Sequence, residues 1–128
     1  MPHLYIEYTD NIKNEADIHE LLEKANKTLL SHSDIIPAGG LSSRPFVLED
    51  YLVADRTEDD AFVHVTLKMA PGRTEEQKKA VCDDLFQTIK GHFVHIFEKR
   101  YIALSMELCE FQNETYKHSN IHGRYDSE

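Results

Sequence analysis

The chain contains few cysteines and prolines and no tryptophan. Its 128 residues include no tryptophan, four prolines and two cysteines, Cys82 and Cys109. Because the cysteines are far apart, the sequence excludes a zinc or redox motif built on close cysteine spacing. Both lie in segments with an apolar pattern, and we expect them to be buried free thiols in a reducing compartment.

Long apolar runs are also missing. No stretch approaches the roughly 18–20 residues of a membrane-spanning helix. The first ten residues, MPHLYIEYTD, lack the basic start and apolar stretch of a signal peptide. These features favour a cytoplasmic protein that does not act in the membrane.

Positive charge is scarce. Fourteen Lys and Arg face 23 Asp and Glu, for a net charge of −9. This balance argues against nucleic acid or an anionic membrane as the partner. An acidic protein that binds a small anion must gather its cations locally, so the position of each arginine carries information.

The apolar residues follow a repeated pattern of strand, helix and strand. Alternation predicts strands over about 3–8, 42–53, 61–69 and 101–110, with Pro45 marking the second as an edge strand. Helical spacing predicts one helix over about 17–31 and a longer one after Thr74, which forms a capping-box pattern with Gln77. The stripe of the longer helix consists of Val81, Leu85, Phe86, Ile89, Phe93, Ile96 and Phe97.

This repetition predicts an α/β protein of the two-layer α+β kind. Two βαβ units, about 2–55 and 60–112, would share one mainly four-stranded sheet with both helices on one face. We expect a single domain over residues 1–128, ending in a polar tail that is loop-like or packs on a neighbouring subunit. The uncovered sheet face favours an oligomer.

Pro2 directly follows the initiator methionine, which is normally removed before a small residue. Removal would leave the ring nitrogen of Pro2 as the amino terminus, and such a secondary amine can accept a proton. Amino termini have pKa values of about 7.7–8.0, and burial beside cations lowers them. Pro2 is therefore a candidate general base near neutral pH, provided that Met1 is absent.

Motifs along nearly the whole chain resemble the tautomerase superfamily, and within it the 5-carboxymethyl-2-hydroxymuconate Δ-isomerases. The resemblance includes Pro2-His3, Asp10-Asn11-Ile12, Ala61 to Lys68, Gly72-Arg73, His92-Phe93, Ala103-Leu104-Ser105 and the late Lys117, Asn120 and His122. It implies a homotrimer whose active sites lie near subunit boundaries around each N-terminal proline. The implied reaction, in aromatic compound catabolism such as homoprotocatechuate degradation, converts an unsaturated dienol carboxylate to its conjugated keto acid without metal or organic cofactor.

The resemblance also points to substrate-binding residues. Arg73 falls where the family carries a substrate-binding arginine, and a cation beside a helix start otherwise opposes the helix dipole. The family pattern further has two arginines separated by one residue, of which the first is catalytic. Here Ser42 stands in the first place and Arg44 in the second. Either Arg44 partly takes over the cationic task or Ser42 marks an altered substrate choice.

Eight histidines raise the possibility of a metal site. The pairs His92–His95 and His118–His122 have helical spacing, but neither has the glutamate of an HExxH motif or an identified third ligand. We therefore expect surface or structural histidines and no metal.

Two alternatives to the isomerase remain open. The same fold and proline could perform another proline-dependent reaction, as a hydratase, decarboxylase or dehalogenase, in which a protonated Pro2 would act as an acid. The chain could also be a non-catalytic trimeric binding protein that lost activity with the arginine now replaced by Ser42.

Overall fold

A computed structural model describes residues 1–125. Its strands are β1 (His3–Thr9), β2 (Ser42–Leu48), β3 (Ala61–Met69) and β4 (Ile102–Glu110). Its α-helices are α1 (Ile18–Leu30), α2 (Glu75–His92) and the short α3 (Val94–Phe97). Single 3-10 turns cover Asp10–Ile12, Ala38–Gly40 and His122–Arg124.

The four strands form one mixed sheet in the order β2-β1-β3-β4. The pairs β1–β2 and β3–β4 are parallel, whereas the central pair β1–β3 is antiparallel. Each parallel pair is joined through a helix, as a βαβ crossover requires. The expected two-unit α/β architecture is therefore confirmed, and β2 is the edge strand that Pro45 indicated.

The core lies between the sheet and the two long helices. Strand β3 alternates strictly between buried and half-buried side chains, and β1 does so up to its last residue, Thr9, which is buried as well. The buried set meets apolar residues of both helices, including Leu21, Leu29, Leu85 and Ile89. Each such side chain contributes about 1.5–3 kcal/mol when fully removed from water. The opposite sheet face carries no helix in residues 1–125 and is called the open face below.

Local signals fix the helix starts. The hydroxyl of Thr74 accepts from the Gln77 amide, and the Gln77 side chain accepts from the Thr74 amide, which confirms the capping box. The carboxylate of Asp17 accepts from the Glu20 amide at the start of α1. Each cap satisfies amide groups that have no partner within the helix.

The apolar stripe of the long helix continues past a break. The helix α2 ends at His92, and α3 begins at Val94. Phe93 and Ile96 are fully buried, as expected, but Phe97 is 52% exposed. Periodicity alone did not detect the break at Phe93, and Phe97, the last residue of the predicted stripe, lies outside the core.

Two further expectations need correction. Strand β2 ends at Leu48 and not near Val53, because the following segment leaves the sheet as a loop with positive φ angles at Ala54 and Arg56. Both cysteines are free, as expected, but they are only half-buried. No helix of the described residues is long and apolar enough to cross a membrane.

Candidate active site at the start of the first strand

Pro2 is buried at the point where β1 begins. Its carbonyl accepts a hydrogen bond of 3.1 Å from the Ser42 amide, which continues the parallel pairing of β1 with β2. Gly40 packs against the other side of the ring, and a Cβ atom at Gly40 would lie 3.3 Å from the Pro2 Cδ. The ring is therefore held between the start of β2 and the turn that precedes it.

Arg73 is placed by the turn after β3. Gly72 adopts a φ of 123°, a conformation that favours glycine, and the following arginine folds back over the chain. Its Nε and Nη2 donate to the Ile35 carbonyl at 3.2 and 2.7 Å, and its Nη1 donates to the Ala70 carbonyl at 2.9 Å. Within residues 1–125 the partners of this guanidinium are carbonyls, with no carboxylate among them.

Within residues 1–125, this arrangement leaves the positive charge of Arg73 uncompensated and some of its N–H groups unused. A guanidinium has five N–H groups, of which three are used here, so Nη1 and Nη2 each keep one. Two N–H groups on neighbouring nitrogens match the two oxygens of a carboxylate. Arg73 is thus fixed in place by neutral groups and remains able to bind an anion.

The amino terminus lies in a cationic environment. Burial, followed by the charges of Lys117 and Arg73, lowers the pKa of the Met1 amino group below its ordinary value. Both cations disfavour a further positive charge at this place. The beginning of the chain therefore lies near two positive side chains from distant parts of the sequence.

Arg44 lies on the open face beside β1. Its guanidinium carbon is 4.5 Å from the centre of the Tyr5 ring, and its Nη2 donates to the His3 Nδ1 at 3.1 Å. Since a guanidinium only donates, the His3 Nδ1 accepts, and the proton of the neutral ring lies on Nε2. Burial, then Arg44, the amino terminus and Lys68 lower the pKa of His3.

A groove of about 470 Å³ borders this region on the open face. Its lining includes Lys68 and Phe111, whose ring centre is 5.4 Å from the Lys68 Nζ. The ring of His3 meets Phe111 edge-on, with ring centres 6.2 Å apart. A flat unsaturated anion could therefore meet both a ring and a cation here. A larger apolar groove of about 580 Å³ lies against α2 and α3, but it contains no predicted site residue.

The four residues predicted for the site gather around the start of β1. Pro2 and Ser42 share a backbone hydrogen bond, Arg73 acts on the amino terminus, and Arg44 reaches the neighbouring His3. The side chain of Ser42 is half-buried and cannot replace the charge of an arginine. Four further residues were not assigned from sequence: His3, Lys68, Phe111 and His122.

The first of the histidine pairs contains one residue with a clear structural environment, His92. His92 is buried: its Nδ1 accepts from the Lys24 Nζ at 3.2 Å, and its Nε2 donates to the Ala16 carbonyl at 2.6 Å. These bonds link the end of α2 to α1 and to the residue Ala16 just before it. His92 therefore has the structural role that was expected. Over residues 1–125 the structure contains no group of three His, Cys, Asp or Glu side chains that could hold a metal ion.

The arrangement of two joined βαβ units with a proline before the first strand defines a protein of the tautomerase fold. The fused 4-OT symmetric trimer W0 shares this fold, with a TM-score of 0.58 over 85% of this chain and 86% of that chain at 15% identity. A 5-carboxymethyl-2-hydroxymuconate isomerase from Deinococcus radiodurans R1 is more similar. Its crystal structure has a TM-score of 0.94 and 46% identity, covering 98% of this chain and 95% of that chain.

Sequence comparison identifies the family. The family model described as 5-carboxymethyl-2-hydroxymuconate isomerase matches residues 2–125. The 5-carboxymethyl-2-hydroxymuconate Delta-isomerase of Escherichia coli is 38% identical over 126 residues, which cover 98% of this chain and 99% of that protein. The chain belongs to the 5-carboxymethyl-2-hydroxymuconate isomerase family, and it is an isomerase.

Proposed function

We propose that this isomerase moves a double bond in a small unsaturated 2-hydroxy or 2-oxo di- or tricarboxylate, with Pro2 as general base. A substrate like 5-carboxymethyl-2-hydroxymuconate fits this description and the name of the family. The observation that carries the proposal is the position of Arg73, a cation held by neutral carbonyls beside the amino terminus.

The chemistry begins once Met1 is removed. The Pro2 nitrogen is then a secondary amine in surroundings that favour its neutral form. It takes the proton of the substrate's enol hydroxyl, and the electron pair of that O–H bond shifts through the conjugated system. The same nitrogen, now protonated, returns the proton to a carbon atom, which completes the move of the double bond. One base suffices because the substrate is held between the two steps.

Positive side chains stabilise the dienolate intermediate. Arg73 offers its two remaining N–H groups to a carboxylate or to the developing oxyanion. Arg44 supplies a second positive charge on the open face. The family pattern has a catalytic arginine at the position that Ser42 occupies here. We assign Arg44 to a second carboxylate, with Ser42 leaving space for a different substrate shape. No metal or organic cofactor enters these steps.

We further propose that the working form is a homotrimer. The open face is half-buried to exposed in the single chain, and it carries Tyr5, Phe46 and Phe111. Such an aromatic surface is suited to contact with a second copy of the chain. The fused 4-OT proteins that share this fold are described as symmetric trimers. Subunits packed on this face would bring neighbouring residues close to Pro2.

The test begins with the intact mass of the purified protein, which should show that Met1 is absent. Turnover of 2-hydroxymuconate-like dienols is then measured for two variants. Insertion of a glutamate between Met1 and Pro2 retains the methionine and keeps the proline ring, but converts its nitrogen to an amide. Pro2→Ala keeps a terminal amine and serves as the matched control.

We expect the insertion to reduce kcat/KM at least about 10²-fold, the usual contribution of a general base. Pro2→Ala should retain part of the activity, since a primary amine still accepts a proton. Full turnover by the insertion variant would remove Pro2 from the mechanism. Absence of turnover in the wild-type protein would favour a binding protein.

A further inference from the structure

The C-terminal tail returns to the start of the chain. The 3-10 turn His122–Arg124 packs on the turn Ala38–Gly40, which leads into β2. A Cβ atom at Gly39 would lie 2.8 Å from the His122 Cα and 3.0 Å from the His122 Nδ1. Glycine at position 39 therefore permits a contact between the two turns that another residue would obstruct.

The imidazole of His122 borders the same small space as the ring of Pro2. The position of a Cβ atom on Gly40 lies 3.2 Å from the His122 Cε1, 3.4 Å from the His122 Nε2 and 3.3 Å from the Pro2 Cδ. In proline, Cδ is bonded directly to the ring nitrogen. The His122 Nε2 and the Pro2 Cδ thus both lie within 3.4 Å of the same point beside Gly40.

The His122 Nε2 has no hydrogen-bond partner within residues 1–125. It is buried and unpaired among the residues that the structure describes. Leaving a buried polar nitrogen unpaired costs about 1–3 kcal/mol, so such an atom requires a reason. While Met1 is attached, the Pro2 nitrogen is a tertiary amide and has no hydrogen to donate. Removal of Met1 creates an N–H group beside this unpaired nitrogen.

We propose that His122 is a positioning residue whose Nε2 accepts the N–H hydrogen of the free Pro2 amine. This inference rests on the proposed role of Pro2. A neutral secondary amine has one N–H and one lone pair, and the two point in different directions. When His122 holds the N–H, the lone pair is directed away from the tail and is free to take the substrate proton.

The other charged groups near the amino terminus cannot perform this task. Lys117 and Arg73 are the cations that act on it, and neither has an acceptor atom. His3 lies next in the chain, but its Nδ1 already accepts from Arg44. Among these neighbours, His122 is the one with an acceptor that is not engaged within residues 1–125.

A pair of substitutions separates positioning from packing. His122→Phe keeps a flat ring without an acceptor, whereas His122→Gln keeps an acceptor, its Oε1, at a similar reach. We expect His122→Phe to lower kcat about tenfold with little change in KM, the effect of one lost hydrogen bond. It should also lower the pKa of the Pro2 amine by about 1, since the protonated amine loses an acceptor. His122→Gln should remain within a few-fold of the wild type.

Nitrogen NMR of the wild-type protein without Met1 gives a second readout that does not depend on folding of a variant. We expect the His122 Nε2 to be unprotonated and its Nδ1 to carry the hydrogen. A protonated Nε2, or equal kcat and amine pKa in the two variants, would overturn the inference. If the glutamate insertion has no effect on turnover, the role of Pro2 itself fails; if only the His122 variants have none, the failure is confined to His122.

Discussion

One arginine lies near each end of β1, but the partners of the two arginines differ. At the far end, Arg100 donates to the carboxylates of Glu15 and Asp59, at 2.8 and 2.7 Å, and to the carbonyls of Asn11 and Asp59. At the near end, the described partners of Arg73 are the carbonyls of Ile35 and Ala70. The charge of Arg100 is compensated by two carboxylates, whereas the charge of Arg73 has no carboxylate partner within residues 1–125.

These different partners indicate a structural role for Arg100 and support the proposed binding role of Arg73. Arg100 connects the turn after β1 to the acidic loop before β3, and its contacts to Glu15 and Asp59 stabilise that connection. Arg73 is held as firmly, yet it keeps a full charge and two unused N–H groups. In a chain with a net charge of −9, a fixed cation without a carboxylate partner among residues 1–125 supports the proposal that a substrate anion binds at Arg73.

Removal of the binding cation should have the largest effect on activity. We expect Arg73→Ala to reduce kcat/KM about 10²–10³-fold, because the dienolate loses a preorganised donor. Arg73→Lys should recover only part of this loss, since an ammonium cannot form the paired hydrogen bonds. Steady-state kinetics with a dienol substrate measures both. An Arg73→Ala variant with wild-type efficiency would contradict the assignment.

Removal of the structural cation should affect stability instead. We expect Arg100→Ala to lower the free energy of unfolding by about 1–3 kcal/mol, the usual effect of hydrogen bonds to charged groups. The carboxylate of Asp59 is 80% exposed, so its ion pair contributes little and most of the loss comes from the other contacts. Denaturant unfolding tests this. The activity per folded molecule should remain near that of the wild type. A large loss of kcat in Arg100→Ala would contradict the structural role of Arg100.

Arg44 should have a smaller effect than Arg73. It lies on the open face, and its known contacts are to the rings of Tyr5 and His3. We expect Arg44→Ala to raise KM about tenfold, the effect of one weakened contact to a distal carboxylate. A comparison of substrates with and without the distal carboxylate checks this assignment, since the KM of a substrate that lacks this group should be insensitive to Arg44→Ala. Equal sensitivity of both substrates, or no change with either, would remove Arg44 from the site.

Much of the fold could be predicted because its signals are local. Alternation along β1 and β3, helical spacing and the Thr74 cap all appear within short windows of sequence. The end of β2 at Leu48 and the break at Phe93 could not, since both depend on how the chain packs against distant elements. The apolar stripe is continuous through Phe93 and Ile96 even though the helix axis is not.

The site was less accessible from the sequence. Pro2 was predicted from the chemistry of an N-terminal proline and Arg73 from the family resemblance, and the charge of Arg73 acts on the amino terminus. His3 and Lys68 face one another only through the antiparallel pairing of β1 with β3. His122 borders the same space as Pro2 through the return of the tail, although the two residues are more than a hundred positions apart in sequence. Such pairings leave no local periodic signal.

The central claim is that burial, together with the cations at the start of β1, keeps the terminal amine of Pro2 neutral and ready to accept a proton. Titration of the Pro2 nitrogen by NMR, in protein shown to lack Met1, tests it most directly. We predict a pKa below the ordinary value of about 8, so that kcat/KM rises with pH as the amine loses its proton. The pKa should increase in Arg73→Ala, because that variant loses a nearby positive charge. An amine pKa at or above the ordinary value, unchanged by Arg73→Ala, would contradict the account.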